Sequence, residues 1–249
     1  MSNFLVVVPT YNEVENLLIV AEAILGLNSP KVDLLIVDDN SPDGTGRLAD
    51  ELVSLYPDRV FVMHRPGKSG LGRAYIEGFQ WALTRGYDSV AQIDADLSHD
   101  PLALKDLFAS SSEADVVLGS RYLNGVSVIN WPLRRILLSM GANVYVRIVL
   151  GLGIHDITSG FRVYRSSALH SIDLPSIASN GYSFQVEMTY RAALAGCRIV
   201  ESPIIFTERR SGHSKMSQGV ILESALMPWR LRLRRNFLLR LLSKRRIVG

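Results

Sequence analysis

Five short, largely apolar runs recur at regular intervals along the first half of the chain. Phe4–Val8, Leu34–Val37, Val60–Met63 and Val90–Ile93 are the first four, and Val116–Leu118 opens the fifth. Runs this short and this continuous suit strands covered on both faces of a parallel sheet. The segments between them fit amphipathic helices: Glu13–Leu27, Gly44–Tyr56, Leu71–Arg85 and Leu102–Ser110. Asn12, Ser41 or Asp43, and Asp100 with Pro101 are helix starts, and Gly86 is a stop. Strand and helix in alternation predict a doubly wound α/β fold. Beyond residue 121 the rhythm changes. Leu133–Leu152 reads as one or two helices without a matching strand, Phe184–Ala195 as a helix, Arg198–Phe206 as a strand and Thr207–Gln218 as a polar loop. No linker interrupts the chain, so residues 1–222 are expected to form one domain, including helices at about 133–153, with 223–249 a basic, apolar tail.

Composition excludes several classes. At 249 residues and 47% apolar, the chain can bury a full core and is not disordered. Its one cysteine, Cys197, rules out an intrachain disulfide or a cysteine metal cluster and suits a reducing compartment. The first ten residues lack the basic and apolar regions of a signal peptide, and Pro9 interrupts them. Ile136–Ile154 comes nearest to a membrane span, but Arg147 inside it would cost about 2.5–3.5 kcal/mol on insertion. Charge is uneven. Eight of the 27 cations lie beyond Glu223, the last acidic residue, and the remaining 19 face 24 acidic residues. A negative body with a positive tail suggests adsorption to an anionic surface, with a solvated helix end as the plain alternative. No nucleic-acid recognition motif is present, so no nucleic-acid partner is expected.

Ligands of open α/β sheets bind at the carboxyl ends of the strands. Three polar segments fall there: Pro9-Thr10-Tyr11-Asn12-Glu13, Val37-Asp38-Asp39-Asn40-Ser41 and Asp94-Ala95-Asp96-Leu97-Ser98-His99-Asp100. A hard cation such as Mg²⁺ or Mn²⁺ takes one or two protein carboxylates and fills its shell with substrate oxygens. Asp94 and Asp96, one residue apart at a strand end, can share that task. The tripeptide alone arises about once by chance in a chain of this size, and its placement makes it a site. Asp38 and Asp39 fit either turn chemistry or hydrogen bonding to a nucleotide base.

Two tempting motifs fail. Gly67-Lys68-Ser69 ends like a phosphate-binding loop, but Val62 stands where its first glycine belongs, and after Gly70-Leu71-Gly72 Tyr75 stands where a dinucleotide fingerprint needs its third. Lys68 and Arg65 remain sensible pyrophosphate contacts. The five histidines show no metal-ligand spacing; His99 stands out by position alone. Arg121, Arg134, Arg135, Arg209, Arg210 and Lys215 form a dispersed set of cations suited to holding phosphates.

Together these residues resemble family 2 glycosyltransferases of the GT-A fold, and within them the dolichol- or polyprenol-phosphate mannose synthases. The resemblance spans roughly residues 4 to 220. It rests on Val8-Pro9-Thr10-Tyr11-Asn12-Glu13, the segment Val37 to Thr45, Gly70-Leu71-Gly72, Asp94-Ala95-Asp96-Leu97-Ser98-His99, Gly119-Ser120-Arg121-Tyr122, Thr158-Ser159-Gly160-Phe161-Arg162, and Arg209 with Gly212, Ser214 and Lys215. It implies a GT-A, Rossmann-like, mostly parallel sheet with a helical extension. The implied activity is metal-dependent, inverting transfer of mannose from GDP-mannose to a polyprenyl or dolichyl monophosphate. Pro9, Tyr11, Glu13, Val37, Asp39, Lys68, Asp94, Ala95, Arg209 and Lys215 would bind the donor. Asp94, Asp96 and Ser98 would hold Mg²⁺ or Mn²⁺, with Ser98 acting through water where such enzymes often carry Gln. Arg121, Arg135 and Ser139 would hold the acceptor phosphate, so Asp96, Arg121 and Arg135 would carry catalysis. Such an enzyme would sit peripherally on the cytosolic face of a membrane, with a membrane-anchoring protein subunit as a further candidate partner. Two rivals remain: a UDP-glucose-dependent polyprenyl-phosphate glucosyltransferase, and a catalytically silent membrane-surface subunit that binds nucleotide sugar.

Overall fold

The structure, a computed structural model, describes residues 3–179, 181–208 and 225–233. Its first half follows the expected alternation: β1 (Phe4–Thr10), α1 (Val14–Leu25), β2 (Val32–Asp38), α2 (Thr45–Leu55), β3 (Val60–His64), α3 (Leu71–Thr84), β4 (Ser89–Gln92), α4 (Leu104–Ser110) and β5 (Val116–Ser120). The second half adds β6 (Val128–Ile129), α5 (Leu133–Leu150), β7 (Arg162–Arg165), α6 (Ser166–Ser171), α7 (Gly181–Leu194), β8 (Ile199–Pro203) and β9 (Phe206–Thr207). The main sheet runs β3-β2-β1-β4-β7-β5-β8, with β6 and β9 forming a small second sheet.

The continuous apolar runs have the expected cause. Leu5, Val7, Leu35 and Val37 enter one core, while Val6, Val8, Leu34 and Ile36 enter another on the opposite face. Successive strand residues alternate between faces, so a strand covered on both sides has no polar positions. α3 lies close on one face because Gly78 lets it: a Cβ there would stand 2.6 Å from Val7 Cγ1.

Three details depart from expectation. β7 was not foreseen, yet it lies in the middle of the sheet, antiparallel to both β4 and β5. It is four residues long and bounded by Arg162 and Arg165, so it lacks an apolar signature. The single strand expected at 198–206 is two: Pro203 ends β8 on β5, and Phe206–Thr207 turns away to pair with β6. The helix expected at 102–110 opens as a 3₁₀ turn, Pro101–Ala103, with Asp100 accepting from the Leu102 amide at 2.9 Å.

The helical segment 225–233 packs on α5. Met227 and Leu231 join Val146 and Leu150 in the core, and the Arg232 guanidinium donates to the Val149 carbonyl. Among the described residues, no helix is long and apolar enough to cross a membrane.

Candidate active site

The ends of β1, β2 and β4 each turn through a non-glycine residue in the left-handed region: Asn12 (φ 60°), Asn40 (φ 58°) and Leu97 (φ 59°). Asparagine adopts this conformation readily; leucine does so at a cost, and such backbone gathers at functional sites. The first two turns are laced together. Asn12 N donates to Ser41 Oγ (3.1 Å), Glu13 N to Thr45 Oγ1 (3.0 Å) and Val14 N to Asp43 Oδ2 (3.2 Å).

Asp38 and Asp39, left open by sequence, separate. Asp38 is buried and accepts from Thr10 Oγ1 (3.1 Å), Ser41 N (3.1 Å) and Ser41 Oγ (2.6 Å), which makes it the brace of the turn. Asp39 pairs with the Arg65 guanidinium, which also grips Glu77 through Nε (3.0 Å) and Nη2 (3.1 Å). Burial raises the Asp39 pKa more than Arg65 lowers it. Arg65 is itself buried and grips these carboxylates, and the Lys68 ammonium lies 3.9 Å from the Tyr11 ring centre. Val37 lies in β2, and Ala95 lies three residues beyond β4. Their side chains lie in the two cores, at 0% and 3% exposure, and anchor the strand ends. Pro9 and Glu13 are half-buried at the end of β1, and Glu13 accepts from Asn16 at 2.8 Å.

The acidic turn is tightly built. Asp94 Oδ1 accepts from the Tyr75 hydroxyl at 2.8 Å, and burial followed by the Asp94 charge keeps that phenol protonated. A Cβ on Gly160 would stand 3.2 Å from Asp94 Oδ2. Asp96 Oδ1 accepts from Ser98 N at 3.1 Å, and the Ser98 carbonyl accepts from Thr207 N at 3.0 Å. Both aspartates remain half-buried, open to one side, whereas Ser98 is enclosed. Among the described residues no three His, Cys, Asp or Glu side chains gather around a common point. Two carboxylates at a strand end, without a closed protein cage, fit a divalent cation that completes its shell from a bound diphosphate.

A second constellation lies beside this turn, and sequence reading found only part of it. Arg121 is 5% exposed and grips Asp156 bidentately, Nε to Oδ2 at 2.6 Å and Nη2 to Oδ1 at 2.7 Å. Its Nη2 also reaches Thr158 Oγ1 at 2.9 Å. Burial works to raise the Asp156 pKa, but the Arg121 bonds and charge outweigh it and hold the carboxylate below its usual range. The rings of Tyr122, Trp131 and Phe206 stand 5.4, 5.5 and 5.4 Å from the Arg121 guanidinium. His99 packs edge-on against Phe206 at 4.9 Å. Burial, then the Arg121 charge, lowers its pKa to about 4, so at neutral pH it adds no third cation. Arg135 lies 4.1 Å from the Trp131 ring centre and pairs with Glu208. Ser139 accepts from the Tyr122 hydroxyl at 2.8 Å. Arg134 is exposed, and Arg209, Arg210 and Lys215 lie outside the described residues.

The segment 156–160 joins the two constellations. Asp156 and Thr158 hold Arg121, while Gly160 backs Asp94 and its carbonyl accepts from Gln92 at 2.7 Å. Arg162, fully buried, pins the segment by donating to Ile157 O (2.6 Å), Ser159 O (2.7 Å) and Gln185 O (2.8 Å).

A sequence model of glycosyl transferase family 2 matches residues 5–173. The polyprenol monophosphomannose synthase of Mycolicibacterium smegmatis is 52% identical over 221 residues, 88% of this chain and 83% of that one. An undecaprenyl-phosphate mannosyltransferase of Micrococcus luteus is 48% identical over 89% of this chain and 90% of its own length. In fold, the chain is similar to glucosyl-3-phosphoglycerate synthase of Mycobacterium tuberculosis solved with Mg²⁺ and UDP, at a TM-score of 0.67, 20% identity and coverage of 91% and 79%. Strand ends that carry paired aspartates, the family match and the two relatives at about half identity agree: the chain is a member of glycosyltransferase family 2.

Proposed function

We propose that the protein transfers mannose from GDP-mannose to a polyprenyl or dolichyl monophosphate, with inversion, using Mg²⁺ or Mn²⁺. The observation that carries this reading is the pair Arg121 and Arg135, both set over Trp131 beside the Asp94–Asp96 turn. The names of both curated relatives, a polyprenol monophosphomannose synthase and an undecaprenyl-phosphate mannosyltransferase, support the same acceptor class and sugar.

The two arginines have different duties. Arg121 is paired with a fully buried carboxylate, and breaking such a pair costs about 3–5 kcal/mol. It is a fixed post, offering its field and its remaining surface. Arg135 and Glu208 have side chains 28% and 31% exposed, where an ion pair is worth about 0–1 kcal/mol. A phosphate dianion can displace Glu208 there with little loss, so Arg135 is the direct acceptor ligand. A lipid monophosphate is already largely ionised near neutral pH, its second pKa being about 6. The acceptor oxygen therefore needs aim and no obligatory general base. Asp94 and Asp96 would hold the divalent ion, with Ser98 reaching it through water. That ion would neutralise charge on the departing diphosphate. Tyr11, Glu13, Asp39 and Lys68 would line the nucleotide's path, joined by Arg209 and Lys215.

Arg135→Ala tests the division. Acceptor KM rises roughly a hundredfold, as expected for a lost charge-assisted bidentate contact, while GDP-mannose binding by calorimetry is unchanged. A mutant with normal acceptor KM and weakened donor binding would overturn the assignment.

The lipid has a matching surface. On α5, Leu133, Leu137, Leu138 and Ile148 are 61–69% exposed, and Trp229 and Leu233 of the adjoining helical segment are 49% and 63% exposed. Apolar side chains bordered by Arg134 and Arg230 support adsorption to an anionic bilayer, and the reading is of a peripheral enzyme on the cytosolic face of a membrane. The double change Leu137→Glu/Leu138→Glu should lower activity at least about tenfold on acceptor embedded in vesicles. It should spare a short, water-soluble prenyl phosphate; equal loss on both acceptors would instead mean damage to the fold or site.

A further inference from the structure

Trp131 belongs to neither the acidic turn nor any recognised phosphate-binding motif. Its indole Nε1 is nevertheless buried and has no hydrogen-bond partner among the described residues. A buried N–H left unmade is costly, and native structures usually satisfy it. Phe206 packs edge-on against the ring at 5.1 Å, Arg135 lies over the ring at 4.1 Å and Arg121 at 5.5 Å. Among the described residues, the cations over this ring are the two guanidiniums assigned to the acceptor. A phosphate held by Arg135 would therefore lie next to the indole ring as well.

We infer that Trp131 is an acceptor-binding residue whose indole N–H donates a hydrogen bond to the acceptor phosphate, while its ring face sets the position of Arg135. The inference deepens the acceptor reading and rests on it. It explains an otherwise unsatisfied donor in a cationic, aromatic pocket, because an N–H bonded to a charged oxygen is stronger than one bonded to a neutral acceptor. It also gives the aromatic cluster a purpose beyond packing, since a flat ring under a guanidinium restricts it without competing for its donors.

The test separates the N–H from the ring. Trp131→Phe keeps an aromatic face and removes the donor; Trp131→Leu removes both. Trp131→Phe should raise acceptor KM roughly tenfold, leaving GDP-mannose affinity and thermal unfolding unchanged, with Trp131→Leu at least as impaired. An unchanged acceptor KM in Trp131→Phe overturns the inference, whatever Trp131→Leu does. Arg135→Ala run in parallel distinguishes the two levels. A raised KM there with a normal Trp131→Phe removes only the indole's role, and normal KM in both removes the acceptor reading itself.

Discussion

Replacing Asp96 by Asn lowers turnover by at least about a thousandfold at saturating Mn²⁺, with no change in fold. The size follows from what the charge does: removing one preorganised electrostatic stabiliser commonly costs two to three orders of magnitude, and a metal ligand contributes several kcal/mol to leaving-group stabilisation. Asn is the informative choice. Its side-chain oxygen still accepts from the Ser98 amide, a bond now 3.1 Å long, so the turn around Leu97 keeps its shape and only the charge is lost. Mn²⁺ binding in the presence of GDP, followed by electron paramagnetic resonance, should weaken in parallel. Full activity for Asp96→Asn would remove the metal site from Asp94-Ala95-Asp96.

Asp156→Ala is expected to destabilise the protein by about 3–5 kcal/mol, because it takes the bidentate carboxylate partner from a buried guanidinium. For a domain of this size that corresponds to a fall in Tm on the order of 10 °C. Exchanging both partners for apolar residues, Arg121→Met with Asp156→Leu, should recover most of the stability and none of the activity. The pair's pH dependence has a definite sign. The folded carboxylate titrates below its unfolded value, so its contribution is present above about pH 4 and is lost only on further acidification through the lowered pKa. Differential scanning calorimetry of the single and double variants settles the matter; a loss under about 1 kcal/mol for Asp156→Ala would contradict the clamp.

The two halves of the chain were unequally legible in sequence. β1 and β2 announce themselves because a strand buried on both faces favours an unbroken apolar run, and Leu5 to Val8 and Leu34 to Val37 supply them. β7 lies equally deep but is Arg162-Val163-Tyr164-Arg165, and its fully buried arginine is satisfied by carbonyls that only the folded chain brings together. The acidic turn was visible for the same reason as the strands, since position at a strand end follows from the β–α rhythm. Arg121 and Arg135 could be named, but their partners could not. Asp156 lies 35 residues from Arg121, and Glu208 lies 73 from Arg135, with no local pattern connecting either pair. At Val37, alternation along β2 turns the side chain into the core and leaves the turn to the side chains of Asp38 and Asp39.

The central claim is tested most directly by offering the protein labelled GDP-mannose or UDP-glucose with polyprenyl monophosphate in vesicles, with and without chelator, and scoring sugar in the lipid fraction. The account predicts lipid-linked mannose from GDP-mannose, abolished by chelator and restored by Mg²⁺ or Mn²⁺. Lipid-linked glucose in its place, or mannose transfer indifferent to chelator, would contradict it.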